Sequence, residues 1–296
     1  MIGHIFLLIV IGWVIVYLYR LKYDIRLSPD GYFYLKQHPS GARYRSSLLL
    51  PVPYSLRPML PDLLTTDKQW INATWISVAG VAGLSYAWFC KCLTPEQAFT
   101  GTLLLLTFTN ITRLAAVFPV LIDAASIAAT FMSSLLWINA SAPVEYLIAT
   151  CVSLLLALLN EKIAVFAALW SWSLYPLVGL AVTLVRYLIV RGDDEGIDWL
   201  KNPVREAIKT HGARFNNGTW WQAWGVLPLA FITMSFEAWL TVLISVLQLF
   251  HAQDYARVFL WCAPVVIIPL VQMFPNELLL PLVVANYLIT SKDGTV

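Results

Sequence analysis

Charge is what this sequence has least of. Lys, Arg, Asp and Glu make up 12% of its 296 residues, against about 25% in an ordinary soluble domain. The net charge is +2, so there is no basic field of the kind that binds nucleic acid. Cysteine is as scarce, with Cys90, Cys92, Cys151 and Cys262 only. Three of them lie in or beside apolar segments, where cysteine packs as a small hydrophobe. Cys90-Lys-Cys92 has no histidine or second cysteine pair beside it, which argues against a zinc or redox centre. The first apolar segment, Ile2 to Tyr19, lacks a basic lead-in and a small-residue cleavage site. It therefore reads as a retained helix rather than a signal peptide. No internal repeat supports an inverted-repeat transporter. The alternating strands of a membrane β-barrel are missing too.

What is abundant is apolar surface. Hydrophobic residues are 59% of the chain and the mean hydropathy is +0.71. Apolar runs occupy 2–19, 70–89, 98–108, 114–138, 144–159, 163–190, 224–250, 258–274 and 278–289. Runs of this kind cross about 30 Å of hydrocarbon as helices, which satisfy their own backbone hydrogen bonds. The expected fold is all-α, a polytopic membrane bundle of about eight to ten transmembrane helices, in one domain over residues 1–296. Thr94 is placed to cap a helix opening at Pro95, and Pro176 is placed to kink or split the 163–190 run. Two polar loops interrupt the series. The second, about 191–217, has an interior near 197–211 that reads as an amphipathic surface helix.

The first polar loop, about 20–68, is the more informative. Arg20, Lys22, Arg26, Lys36, Arg43, Arg45, Arg57 and Lys68 face only Asp24, Asp30, Asp62 and Asp67. The positive-inside rule would place such a loop in the cytoplasm, yet a loop that holds an anionic lipid head group would also be basic. Asp30 sits in Ser-Pro-Asp-Gly, good turn chemistry, but it could equally present a carboxylate as a general base. Asp24 lies between Lys22 and Arg26, which favour its ionised form. Arg57 stands among Pro51, Pro53, Pro58 and Pro61, which keep the segment from forming a regular helix. A stiff segment offering one guanidinium suits a phosphate, and a snorkelling arginine is the plainer alternative. Asp123 falls inside the 114–138 run and must face a cavity or a partner rather than lipid. Glu161 and Lys162 fit an interfacial turn, and Asp254 and Arg257 are spaced to pair on a helix.

In order, the motifs are Asp30-Gly-Tyr32-Phe33-Tyr34-Leu35, then "PVPYSLRPMLP" from Pro51 to Pro61, "FPVLIDAAS" around Asp123, "LLALLNEKIAVFAAL" around Glu161, and "DYARVFLWCAPVVI" from Asp254. This succession resembles the GT-C class of integral-membrane glycosyltransferases, in a short bacterial variant. The resemblance implies sugar transfer, with inversion, from a polyprenyl-phosphate-linked donor to a cell-envelope or lipid acceptor. It places the reaction loop, carrying short helices, on the extracytoplasmic side of the inner membrane. It makes Asp30 the essential loop acid, with Asp24 as the alternate. Arg57 and Arg257 match family arginines that serve the carrier phosphate or local structure. Glu161 matches an Arg-Glu position where this chain has Asn160-Glu161-Lys162. Tyr32 and Tyr34 could stack on sugar faces. No cofactor is certain, Mg or Mn being the cations such chemistry can use, and the partners are the lipid-linked sugar and membrane lipid. The alternatives are a non-catalytic lipid-binding scaffold of the same fold and a small transporter using Asp123 and Glu161.

Overall fold

The computed structural model describes residues 2–27, 29–37, 42–43, 45–50, 54–120, 122–190, 205, 208–209, 219–248 and 255–290. Among them the chain is all-helical, and the one β-contact is an isolated bridge between Gln37 and Arg43. Contacts divide the chain into two compact units.

The first unit gathers residues 1–22, 78–116 and 198–296. It opens with α1 (Ile2–Lys22), whose 21 residues reach about 31 Å at 1.5 Å per residue. Half of its apolar side chains are exposed, Phe6 at 69% for example. The unit also holds the later part of α4 (Asp67–Phe89), α5 (Pro95–Leu106) and all but the last residue of α6 (Thr109–Val117). As the sequence predicts, α5 starts on Thr94, whose hydroxyl accepts from Gln97 N while the Gln97 side chain answers the cap's own N–H. Among the described residues the unit also holds a 3-10 turn at Leu227–Ile232 and the helices α11 (Thr219–Trp224), α12 (Phe236–Leu247), α13 (Tyr255–Leu260), α14 (Ala263–Met273) and α15 (Asn276–Thr290).

A neutral latch closes part of this unit. Gly225 turns the chain at φ +58°, a conformation glycine adopts without steric cost. The next amide, Val226 N, donates to Asn286 Oδ1 at 3.1 Å. Asn286 Nδ2 then donates to Thr107 Oγ1 at 2.8 Å and to Leu104 O at 3.3 Å. Every polar atom of this buried amide is used, which removes the cost of burying it.

The second unit comprises residues 23–77 and 117–197. Its first stretch is the polar loop, which folds into short pieces: α2 (Pro29–Tyr34), 3-10 turns at Ser47–Leu49 and Tyr54–Leu56, and α3 (Met59–Leu63). The expectation of a loop carrying short helices holds. Its core is α7 (Asp123–Asn139), α8 (Pro143–Ala157), α9 (Lys162–Ser171), a 3-10 turn at Tyr175–Gly179, and α10 (Leu180–Ile189). Small and hydroxyl side chains line the seams. Ser133 and Ser153 hydroxyls meet at 3.2 Å, and Trp137 Nε1 donates to Ser153 at 2.9 Å. Such bonds tie α7 to α8 and satisfy the polar groups buried between them. Gly179 approaches so closely that an added Cβ would lie 2.8 Å from Ser153 O.

The hydropathy runs and the helices differ in one consistent way. The 114–138 run is divided at Pro119 into α6 and α7, and the 163–190 run at Trp172 (φ 51°) and the turn around Pro176. The 224–250 and 258–274 runs each hold two pieces as well. Among the described residues, two helices are long and apolar enough to cross a bilayer: Ile2–Lys22 and the α5–α6 run Pro95–Val117, the latter mostly buried. Proline removes a donor and clashes with the preceding turn, so it breaks helices without lowering hydropathy. The amphipathic helix expected near 197–211 falls almost wholly outside the described residues.

Candidate functional site

The polar loop is joined to the rest of its unit by Arg57. The 3-10 turn Tyr54–Leu56 ends one residue before it, and Arg57 N donates to Tyr54 O at 3.1 Å. The side chain therefore leaves the turn inward and is 8% exposed. Its Nε donates to Glu161 Oε2 at 2.8 Å, and its Nη2 pairs with Glu161 Oε1. Its Nη1 donates to the Tyr34 hydroxyl at 3.2 Å. A planar fork facing a carboxylate is the strongest geometry an arginine makes.

Glu161 is in place because α8 ends at Ala157 and α9 begins at Lys162. Asn160 stabilises that corner. Its Oδ1 accepts from Lys162 N at 3.1 Å, and its Nδ2 donates to Ser126 of α7 at 3.2 Å. A backbone bond from Met59 N to Leu158 O, 3.1 Å, ties loop and corner a second time. Tyr34 is fully buried, edge-on to Tyr54 at 5.3 Å and tilted against Trp70 at 6.5 Å. Phe33 stacks on Tyr54 at 4.7 Å.

The electrostatics follow from that burial. Loss of water alone would push the Glu161 carboxyl up, but the Arg57 charge and hydrogen bonds reverse this, and Lys162 adds to the effect. The result is a carboxyl held down to about 2. Burial alone would likewise lower the Arg57 guanidinium, and Glu161 with Tyr34 instead carries it well above its ordinary value. Both groups are ionised across the working pH range.

A second anchor lies on α10. Arg186 donates to Ser55 O from Nε at 3.1 Å and from Nη2 at 2.6 Å, and Nη2 also reaches Ser47 Oγ at 3.3 Å. Ser47 in turn donates to Asp62 Oδ2 at 3.3 Å, and Asp62 forms an ion pair with Lys36. Sequence reasoning passed over Arg186. The signal was there, because a cation inside "LVRYLIV" is costly unless it has partners.

Of the residues singled out in the sequence, Arg57, Glu161, Lys162 and Tyr34 come together. In this arrangement the Nε–Nη2 edge of Arg57 is occupied by Glu161, so the residue serves the local structure of the loop. Asp123 is in the first turn of α7, buried, directly after the Pro119 break. It thus lies at a helix start, where the dipole favours an acid. Asp24 is exposed on the extended segment after α1, and Tyr32 is half-buried on α2. Pro29–Tyr34 is helical, so Asp30 belongs to a first helical turn rather than an isolated β-turn. The Asp30 side chain, Asp254 and the Arg257 side chain lie outside the described residues.

Among the described residues no three His, Cys, Asp or Glu side chains converge on a common point. Asp62 and Glu161 are engaged by Lys36 and Arg57. Carboxylates paired in this way do not fit a site for Mg or Mn. No family model, curated protein or solved structure matches the chain.

Proposed function

We propose that the chain is an integral-membrane glycosyltransferase of GT-C type, taking its sugar from a polyprenyl-phosphate carrier. The observation that carries this reading is the organisation of the first loop. Directly after an exposed apolar helix, a segment bearing Asp30 is folded into short helices and clamped by the buried Arg57–Glu161 pair. A loop whose backbone is clamped in this way suits general-base chemistry, which needs its acid carried on a rigid element. Exposed apolar faces on α1, α8, α10, α12 and α15 support a bilayer around the bundle.

In this mechanism the Asp30 carboxylate takes the proton from the acceptor hydroxyl. The acceptor oxygen attacks the anomeric carbon from the face opposite the phosphate, and the C–O bond to the carrier phosphate breaks. Inversion at that carbon and release of the polyprenyl phosphate complete the transfer. Arg57 acts on the reaction by positioning the loop. Transfer of labelled sugar from polyprenyl-phosphate donors, assayed in membranes containing the protein, tests the assignment. Asp30→Asn should abolish transfer at unchanged protein level, and transfer at the wild-type rate would sink the proposal.

A further inference from the structure

The outer surface of the first loop has an organisation that sugar transfer does not explain. The ladder Arg186–Ser47–Asp62–Lys36 draws the 3-10 turn at 47–49, α3 and the end of α2 to one place. Lys36 has φ 53°, a left-handed close to α2, which turns the chain so that Gln37 bridges Arg43. Ser46 caps the next turn, its hydroxyl accepting from Leu48 N at 3.2 Å. Arg43 and Arg45 are exposed beside these anchors. Two exposed leucines belong to the elements joined in this way. Leu49 lies two residues from Ser47 and is 43% exposed, and Leu63 follows Asp62 and is 63% exposed. Among the described residues the acid of this cluster is Asp62, and it has Lys36 as its counter-ion. Arg43 and Arg45 add exposed cationic charge to the part of the loop that also carries two exposed leucines.

We propose that this face of the loop rests in the head-group layer and binds anionic phospholipid. It rests on the membrane reading above and goes beyond it in naming a surface and a lipid class. The occupant follows from charge complementarity combined with exposed aliphatic side chains. Leucines enter the boundary between head groups and acyl chains while arginines bind lipid phosphates. A soluble acidic partner would match the arginines but leave the leucines without a role. The contact orients the loop against the membrane plane, so lipid composition sets where the loop sits.

The test uses the full chain in nanodiscs, with Cys90, Cys92 and Cys151 replaced by serine and bimane attached through a Leu63→Cys substitution. Discs of zwitterionic lipid are compared with discs containing anionic phosphatidylglycerol, each with spin-labelled lipid as quencher. Quenching should rise roughly twofold or more in the anionic discs. About 1 M salt, which shortens the screening length to about 3 Å, should reverse that rise. Arg43→Glu with Arg45→Glu should remove it as well. Because salt acts on an unaltered loop, the result does not depend on how well the charge-reversed variant folds. A label that stays in water in both lipids would overturn the proposal. So would quenching independent of lipid charge, or label-to-label contact between two copies of the chain. The readout needs no sugar donor, so it stands or falls separately from the transfer activity.

Discussion

Two interior ties, one in each compact unit, solve the same problem with different chemistry. In the second unit a loop is held by full charges, Arg57 against Glu161. In the first, a glycine turn is held by the neutral amide of Asn286, through Val226 N, Leu104 O and Thr107 Oγ1. A charged pair resists rearrangement strongly but leaves an expensive orphan when one partner goes. An amide contributes less and loses less. The charged tie sits where the proposed chemistry is, and the neutral one where helices only need to stay packed.

The widest separation between the two ties should appear on removing one partner. Glu161→Ala leaves a buried guanidinium uncompensated and should destabilise by about 3–5 kcal/mol in denaturant titrations of the detergent-solubilised protein. Replacing both partners, Arg57→Met with Glu161→Leu, should recover most of that loss. If the double variant is as unstable as the single one, the cost lies in packing rather than charge.

Gly225→Ala comes next. An added Cβ would lie 2.0 Å from Asn286 Oδ1, in a left-handed conformation, and the change should cost about 1–3 kcal/mol. Asn286→Ala should cost a similar amount by stripping Val226 N and Thr107 of their partner. The two losses should not add, because each variant damages the same contact. Full additivity would show that the latch is not a unit.

Acid should separate the ties in kind. Glu161 has its folded-state value depressed, from about 4.5 in the unfolded chain to about 2. Stability from the clamp is therefore fully present above about pH 4.5 and lost as pH falls toward about 2. The Asn286 latch carries no titrating group and should not respond. Between pH 6 and pH 3 the thermal midpoint of wild type should fall relative to that of the double apolar variant, which has no carboxyl at this site to protonate.

The smallest effect calibrates the others. Thr94→Ala removes a local cap and should cost about 1 kcal/mol, with no pH dependence.

Much of the helical layout was legible because it is written in local chemistry. Thr94-Pro95 gave the start of α5, Pro176 the division of the 163–190 run, and the 20–68 interruption gave the loop with its short helices. What escaped was either shorter than a hydropathy window or remote in sequence. The break at Pro119 sits in an apolar run, so hydropathy does not show that Asp123 stands at a helix start. Arg57 and Glu161 were each singled out, one for a phosphate and one for a family position. Nothing local says that they face each other, because the bond joins residues 104 apart. Arg186 and Asn286 carry the same signal as the acids, a polar group in an apolar run, but their partners are equally remote in sequence.

The 104-residue separation of Arg57 and Glu161 also imposes a schedule on biogenesis. At about 5–20 residues per second, the ribosome releases the arginine roughly 5–20 s before its carboxylate exists. During that interval the loop has left the ribosome with its main anchor still unmade, and cellular proteases or insertion factors meet it in that open form. The corner after α8 thus sets the earliest moment at which the buried arginine of the loop can meet its carboxylate.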